Sequence, residues 1–468
     1  MGRGRAFVLG VIGSFGGGRG AQAEAADLAF RDVDRDDFER VFRQVVSEVA
    51  LDLPFCRSLF PKRYEDLHPD GLVERLPVLE KLIEARAAVA SPEQMGRLLE
   101  QAGVDLAPDT EPEPATSAPV EPGPALDDGQ ILDSILAGND RGAARPRRAT
   151  SSGDPEFDRL VREIADASVD ETDYALQDRW RSAIDAELER RVREILGCPT
   201  FRQLESSWRS LRSLVLSAET GPELRIRLAD LPQDALRAEL EGEPKLEDSC
   251  LYRAVVDPET GFPGGDAFSA LLTDYAFGTS STDRAMLRHL ADLAERARIP
   301  VLAAASDPDA LADAGEAARE DWDELRRHPG ARRIGLCAPR LLVRAPYGRD
   351  TSPVDAFAFE EAARVEAPES YVWGSSAFGL AQAVVKALSE YGALGAVDRF
   401  LALEGLPIHV YRADGEVCYQ GPTEAHLTER RIEAWTRAGI IPVTAVRGQD
   451  SARITSLRSL AGTALFDD

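Results

Sequence analysis

The stretch Cys337–Gly348 constrains this fold more than any other part of the chain. Pro339 and Pro346 bracket an apolar run, Leu341, Leu342 and Val343, that also carries Arg340 and Arg344. Each proline ring removes a backbone donor and pushes the preceding residue toward extended geometry, so no ordinary helix crosses this segment. The segment predicts a short buried strand, Arg332 to Leu336, that runs into a kinked extended connection. Two arginines in an otherwise apolar stretch must pair or reach solvent, because an unpaired buried charge is costly. Glu360 and Glu361, which follow Phe357 and Phe359, are the expected partners. Two readings stay open: intrachain ion pairs that fix the fold, or a charge placed at a subunit contact.

A chain of 468 residues is too long for one ordinary core, so two or more domains are expected. No apolar run approaches the roughly 20 residues of a membrane span, and membrane insertion is not expected. Asp and Glu outnumber Lys and Arg by 81 to 55, a formal net charge of −26. Such a chain as a whole repels nucleic acid and anionic lipid, and a surface kept soluble at high concentration explains it. The five cysteines, Cys56, Cys198, Cys250, Cys337 and Cys418, are odd in number and form no CxxC pair. They read as reduced core or near-core residues of a cytoplasmic protein. The histidines show no ligand spacing, and no metal or cofactor is expected.

The organisation has three parts. Residues 1–104 form a first α/β unit. Ala6 to Ile12 is a strand candidate, Val33 to Val49 and Leu72 to Ala90 have helical spacing, and Ser91-Pro92 can start a third helix. The opening residues also have the layout of a minimal secretory signal, although Gly10 and Gly13 interrupt the apolar run in a way that suits a strand and turn. Residues 105–153 change character. Six prolines from Pro108 to Pro124 fall among Glu, Ser, Thr and Ala, the composition of a disordered linker. Within it, Ile131, Leu132, Ile135 and Leu136 keep helical spacing near residues 126–137, and Arg141 to Arg148 is a small basic patch. Residues 154–468 form the main body. Helices are expected at Pro155 to Leu196, broken near Ser168 to Thr172, and at Thr200 to Leu216, with Phe201, Leu204, Trp208 and Leu211 on its apolar face. Further helices are expected at 285–297, 377–391 and 429–438. Strands are expected at 224–228, 251–256, 300–305 and 440–446, with an Asp414-Gly415 hairpin near 408–419. Alternating elements imply an α/β body around a mixed sheet.

Few patterns suggest chemistry. Gly10 to Gly20 is glycine-rich but lacks the Gly-Lys-Ser/Thr ending of a phosphate loop and the Gly-x-Gly-x-x-Gly spacing of a dinucleotide fold. Asp266, Asp274 and Asp283 have packing neighbours and no base-and-nucleophile partner in sequence. Asp398 and Glu404 read as strand-end or ion-pair residues. No catalytic constellation emerges.

In composition and order, Cys337–Gly348 resembles a passage of the large subunit of the type VI secretion contractile sheath, the TssC or VipB family. Further resemblances follow in the same order: Pro199 to Leu211 around Trp208, Gly261 to Tyr275, Ala297 to Ser306, Tyr371 to Ala377 around Trp373, Glu404 to Pro407, and Gly421 to Glu424. Together they span about residues 155–455. The first unit is similar to the small subunit (TssB or VipA) at Phe7 to Phe15, Asp32 to Phe38, and Phe60 through Pro69-Asp70, with Leu67 where a phenylalanine is usual. The resemblance therefore implies a natural fusion of the two subunits in one α/β chain, a mixed-sheet sheath-type body with a smaller N-terminal domain. It implies a non-enzymatic polymer subunit whose partners are other sheath subunits, an inner tube of Hcp protein, baseplate proteins and an AAA+ unfoldase. Trp208, Arg340, Arg344, Tyr347, Glu360, Glu361, Trp373 and Glu404 are the structural or interface candidates. Large subunits of the family usually continue beyond the strand near residue 446. A chain that stops at Asp468 is thus expected to assemble less readily, and its alternative role is a non-polymerising adaptor, cap or regulator of a sheath or baseplate.

Overall fold

The computed structural model describes residues 6–17, 28–106, 171–217, 219–242, 245–256, 267–312, 316–361, 371–413 and 416–466. Most of the proline-rich stretch, the apolar pattern near 131–136, the basic patch, the 261–266 turn and the Asp414-Gly415 turn lie outside them. The chain divides into two compact units, Met1–Ile83 together with Leu188–Asp468, and Glu84–Glu187.

The larger unit is built on a nine-stranded sheet. Its strands are β1 (Phe7–Gly13), β2 (Arg31–Asp32), β5 (Leu224–Asp230), β6 (Ala270–Phe277), β7 (Val301–Ala305), β8 (Ile334–Ala338), β11 (Ala402–Leu403), β14 (Ile440–Ala445) and β15 (Ala452–Ile454), in the order β11-β15-β14-β8-β7-β6-β1-β5-β2. The six strands from β5 to β14 run parallel, while β2, β15 and β11 pair antiparallel at the edges. Strands covered on both faces read as continuous apolar runs. Those of β7 (VLAAA) and β8 (IGLCA) are buried at every residue. Three two-stranded ribbons complete the set: β3 (Val49–Leu53) with β4 (Cys56–Leu59), β9 (Leu341–Arg344) with β10 (Val372–Gly374), and β12 (His409–Ala413) with β13 (Glu416–Gln420).

Strand β1 sits near the middle of the sheet, between β5 and β6, in register from Phe7↔Leu224 to Gly13↔Asp230. Two of its glycines are steric necessities. A Cβ on Gly10 would meet Leu271 Cδ1 at 2.8 Å, and one on Gly13 would meet Asp274 Cβ at 2.7 Å, so neither position accepts a side chain without movement. Among the described residues of the first hundred, β1 and β2 belong to the large sheet and β3 and β4 form a separate ribbon. Strand β1 completes the large sheet, and the two compact units divide at residues 83 and 187.

Side chains alternate across a strand, and β6 shows which helices cover which face. Leu271, Tyr275 and Phe277 share a buried cluster with Met286, Leu287 and Leu290 of the helix Ser281–Ala297. Asp274 points to the other face, where Ser207 of the helix Pro199–Ser217 lies 2.5 Å away. The helix Ala377–Tyr391 packs beside Pro199–Ser217. The result is a three-layer α/β/α arrangement.

Trp208 is fully buried at the centre of the Pro199–Ser217 face. Its ring meets Phe15, Phe38 and Phe42 edge-on, at centroid distances of 5.5, 5.6 and 4.7 Å. Its indole N–H donates to the Phe15 carbonyl at 2.9 Å. A buried indole needs such an acceptor, and here it comes from the turn that follows β1.

Several local expectations change. Residues 251–256 form the helix Cys250–Val255, capped by Ser249; a short apolar run cannot separate strand from helix by periodicity. The expected helix Val33 to Val49 shortens to Phe38–Val45 and gives way to β3. Leu72 to Ala90 splits at Leu76 into Pro69–Arg75 and Pro77–Ala87, because the residue before Pro77 is extended. Strand β8 begins two residues late, after a 3-10 turn at Pro329–Arg333. The peptide Ala338–Pro339 is cis. Among the described residues, no helix is long and apolar enough to cross a membrane.

Candidate functional site

A buried ionic cluster lies between the helix Pro199–Ser217, the end of β9 and the segment 345–361. Arg344 is the last residue of β9 and only 7% exposed. It places Nε 2.7 Å from Glu205 Oε1 and Nη2 3.1 Å from Glu205 Oε2. Its other edge meets Glu361, Nη1 to Oε2 at 2.6 Å and Nη2 to Oε1 at 3.0 Å. Arg209, one helical turn beyond Glu205, adds Nε to Oε1 at 2.9 Å and donates from Nη2 to Tyr347 Oη at 2.6 Å. Tyr347 Oη donates to Glu205 Oε1 at 3.2 Å, and its backbone N–H donates to Glu361 Oε2 at 2.8 Å. The Arg344 guanidinium also lies 4.1 Å from the Tyr347 ring centroid, a cation–π contact strengthened by burial.

Two arginines and two glutamates balance in charge, which offsets the cost of burying them. Burial alone would raise the Glu205 carboxyl. The Arg344 and Arg209 guanidiniums overcome that and hold it at about 2. Burial likewise pushes the Tyr347 phenol above its ordinary value, with Glu205 adding to the shift. A carboxylate held this low and a phenol held this high are poor proton shuttles near neutral pH. The cluster is suited to bracing three chain segments, not to acid–base work.

The cluster forms one wall of a cleft of about 870 Å³. Residues 63–74, with Arg63, Tyr64 and His68, line it as well, as do Ile408 and Val410. His68 stands edge-on to Tyr347 at 4.8 Å, and burial lowers its pKa. Asp70 accepts from the backbone N–H groups of Asp355 and Ala356 at 3.0 and 2.9 Å. The 60–75 region is thereby fastened to the loop that follows Tyr347.

The glycine turn after β1 has a different occupant from a phosphate. The N–H groups of Phe15 and Gly16 donate to Asp230 Oδ1 at 2.7 and 3.0 Å. Burial raises the Asp230 carboxyl, and these two amides partly offset the rise. Among the described residues no group of His, Cys, Asp and Glu could hold a metal ion.

The structure brings together Arg344, Tyr347 and Glu361 and leaves other candidates apart. Arg340 is exposed and forms a two-pronged pair with Glu424, at 2.8 and 2.5 Å, in place of the expected Glu360 or Glu361. The reason is the antiparallel approach of the 423–424 segment, in which the Glu424 N–H donates to the Arg340 carbonyl and brings the two side chains together. Glu360 accepts from the backbone N–H of Arg349 at 3.0 Å and pairs with neither arginine. Trp373 is buried on β10, and its carbonyl accepts from Ser206 Oγ at 2.9 Å. Glu404 is exposed just beyond β11. Glu205 and Arg209 were missed. Their signal was a charged residue beside Leu204 and Trp208, inside the apolar arc, with its countercharge at i+4.

The family described as "VipB: EvpB/VC_A0108, tail sheath N-terminal domain" matches residues 178–461, more than half of the chain. The chain belongs to this tail sheath family. It is also 29% identical over 334 residues to the type VI secretion system sheath protein TssC1 of Pseudomonas aeruginosa, covering 66% of this chain and 67% of that protein. The matched span of this sheath-family chain contains the whole ionic cluster, whereas β1 and the 63–74 lining of the cleft precede it.

Proposed function

We propose that this chain is a structural subunit of a type VI secretion contractile sheath, with small-subunit-like and large-subunit-like parts in one polypeptide. The observation that carries the reading is the tail sheath family match over residues 178–461, which includes every parallel strand of the sheet except β1. Residues 1–104 are read as the small-subunit-like part and residues 154–468 as the large-subunit-like part, joined through residues 105–153. Two features support the fusion: β1 fills the place between β5 and β6, and Asp70 fastens the 60–75 region to the body. In this reading the subunits act in the cytoplasm. They pack around a tube of Hcp protein and drive its ejection by contraction, with baseplate proteins and an AAA+ unfoldase as further partners. The role is mechanical, and the buried cluster suits it because it ties a helix, a strand and a loop into one rigid body.

Electron microscopy of the protein expressed with its neighbouring secretion components tests this. Tubules or rings that contain the chain support the sheath reading. A chain that binds sheath or baseplate components but never enters a polymer would replace it with an adaptor or cap.

A further inference from the structure

Strands β12 and β13 form a ribbon whose two faces differ. On one, Tyr411 packs against Leu342, Tyr371 and Trp373, and a His409 ring nitrogen lies 3.2 Å from the Tyr371 hydroxyl. Directly paired residues share a face, so the register Val410↔Tyr419 and Arg412↔Val417 puts Val410, Arg412 and Val417 together on the other. There Val410 is 53% and Val417 65% exposed. A two-stranded ribbon has little stability of its own in water, and apolar side chains grouped on its open face mark a contact surface.

A pocket of about 230 Å³ adjoins the ionic cleft and shares Tyr64, Arg209 and Pro407 with it. Phe378, Leu406 and the half-exposed Leu216 give it an apolar lining. It also carries one exposed charge of each sign, Arg212 and Glu404. The Arg212 guanidinium lies over the Tyr64 ring at 5.2 Å. Among the described residues, neither Arg212 nor Glu404 has an oppositely charged partner.

The ribbon offers the complement. Arg412 is exposed beside Val417, Glu416 is exposed at the open end of β13, and among the described residues both likewise have no oppositely charged partner. An apolar knob with one charge of each sign thus matches an apolar pocket with one of each sign. Other exposed apolar side chains match less well. The charged residues next to Phe60 in the chain, Arg57 and Lys62, are both cations, and Tyr391 is already stacked with Phe400 and Arg399. The segment 404–407 that lines the pocket leads into β12 at His409, so knob and pocket are neighbours on one copy. Two copies related by a two-fold axis can therefore insert reciprocally. Complementary charges matter at such a contact, because copies of a chain with a net charge of −26 otherwise repel.

We propose that the pocket receives Val417 of a second copy of this chain, with Arg412 of the incoming ribbon on Glu404 and Glu416 on Arg212. The proposal rests on the sheath reading only in taking a like subunit as the partner.

Sedimentation velocity on the full chain tests this, with Arg412→Glu and Glu404→Arg as charge variants and Val417→Asp as the apolar one. Each alone should weaken self-association about tenfold or more, because like charges then face each other or a carboxylate enters the apolar pocket. An equimolar mixture of Arg412→Glu and Glu404→Arg should recover association to within about threefold of wild type, since every ribbon then meets a pocket of opposite charge. Damage to the fold of either variant cannot be repaired by mixing. A wild-type chain that stays monomeric at every concentration overturns the proposal, and so does a mixture no tighter than its separate components. Microscopy keeps the two readings apart. Wild-type tubules without rescue by mixing retain the sheath reading and sink this contact. Rescue by mixing in a chain that never enters a polymer retains the contact and sinks the sheath reading.

Discussion

Replacing Arg344 with methionine probes what the buried cluster contributes. Methionine keeps most of the length of the side chain and its apolar contacts. Glu205 retains Arg209, but Glu361 is left with only the Tyr347 amide of its present cluster partners. Removing one partner of a buried ion pair costs about 3–5 kcal/mol, because the remaining charge stays buried and uncompensated. Burial raises the Glu205 carboxyl, and Arg344 and Arg209 together bring it down to about 2, so Arg344→Met removes part of that lowering and Arg209 keeps the rest. The double variant Arg344→Met/Glu361→Gln restores charge balance around Glu205 and Arg209, so the two changes should couple favourably by about 1–3 kcal/mol. The pH dependence has a definite sign. A folded-state value below the unfolded one gives stability that is present above the unfolded value and lost as pH falls through the folded one. The deficit of Arg344→Met relative to wild type should therefore shrink by about half between pH 6 and pH 3. Urea unfolding of wild type, single and double variants at both pH values provides the assay. A deficit below about 0.5 kcal/mol at neutral pH, or one that does not change with pH, would refute the reasoning.

Other expectations follow from the same contacts. Trp208→Ala should lower stability by about 3–5 kcal/mol in thermal or urea unfolding, because it empties the space among Phe15, Phe38 and Phe42. Arg340→Ala, which removes an exposed pair with Glu424, should cost less than about 1 kcal/mol in the same measurement. Burial pushes the Asp274 carboxyl up to about 6, against the lowering effect of its Ser207 hydrogen bond. Its raised folded value makes a contribution present at low pH and lost as pH rises through 6, so Asp274→Asn should gain about 1–2 kcal/mol over wild type at pH 8 and nothing at pH 4. Gly13→Ala should destabilise the sheet through its 2.7 Å approach to Asp274 Cβ, and a melting temperature equal to wild type would show that β1 shifts freely.

Much of the body was legible because its strands are covered on both faces and its helices on one. The strands expected at 300–305 and 440–446 lie where short apolar runs are flanked by helices, the one expected at 332–336 starts two residues later, and the stripe of Phe201, Leu204, Trp208 and Leu211 fixes the buried face of its helix. The partners of the two arginines were only half legible. Glu361 lies 17 residues from Arg344, within reach of local reasoning, but Glu205 lies 139 residues away. Nothing in a spacing rule connects a helix to the end of a distant strand. The same limit hid the place of β1. Its sequence announces a buried strand, but its neighbours β5 and β6 come more than 200 residues later. Only the assembled sheet shows that β1 lies between them.

The place of β1 bears on how firmly the N-terminal strand is held. A strand at a sheet edge can be peeled away one hydrogen bond at a time. A strand held on both sides resists shear along its length, because both ladders must break together. Strand β1 is of the second kind, paired with β5 over seven positions and with β6 over four. The turn that follows it is anchored twice more, by Asp230 at the amides of Phe15 and Gly16 and by the Trp208 indole at the Phe15 carbonyl. Trp208 stands on the same helix as Glu205 and Arg209, which reach Arg344, Tyr347 and Glu361. The N-terminal strand, the central sheet and the 344–361 segment are thus joined by contacts in which no step depends on an exposed ion pair. Salt screens surface charges and weakens them, but it acts little on buried ones. Cohesion within the subunit should therefore persist at ionic strengths that loosen contacts between acidic neighbours.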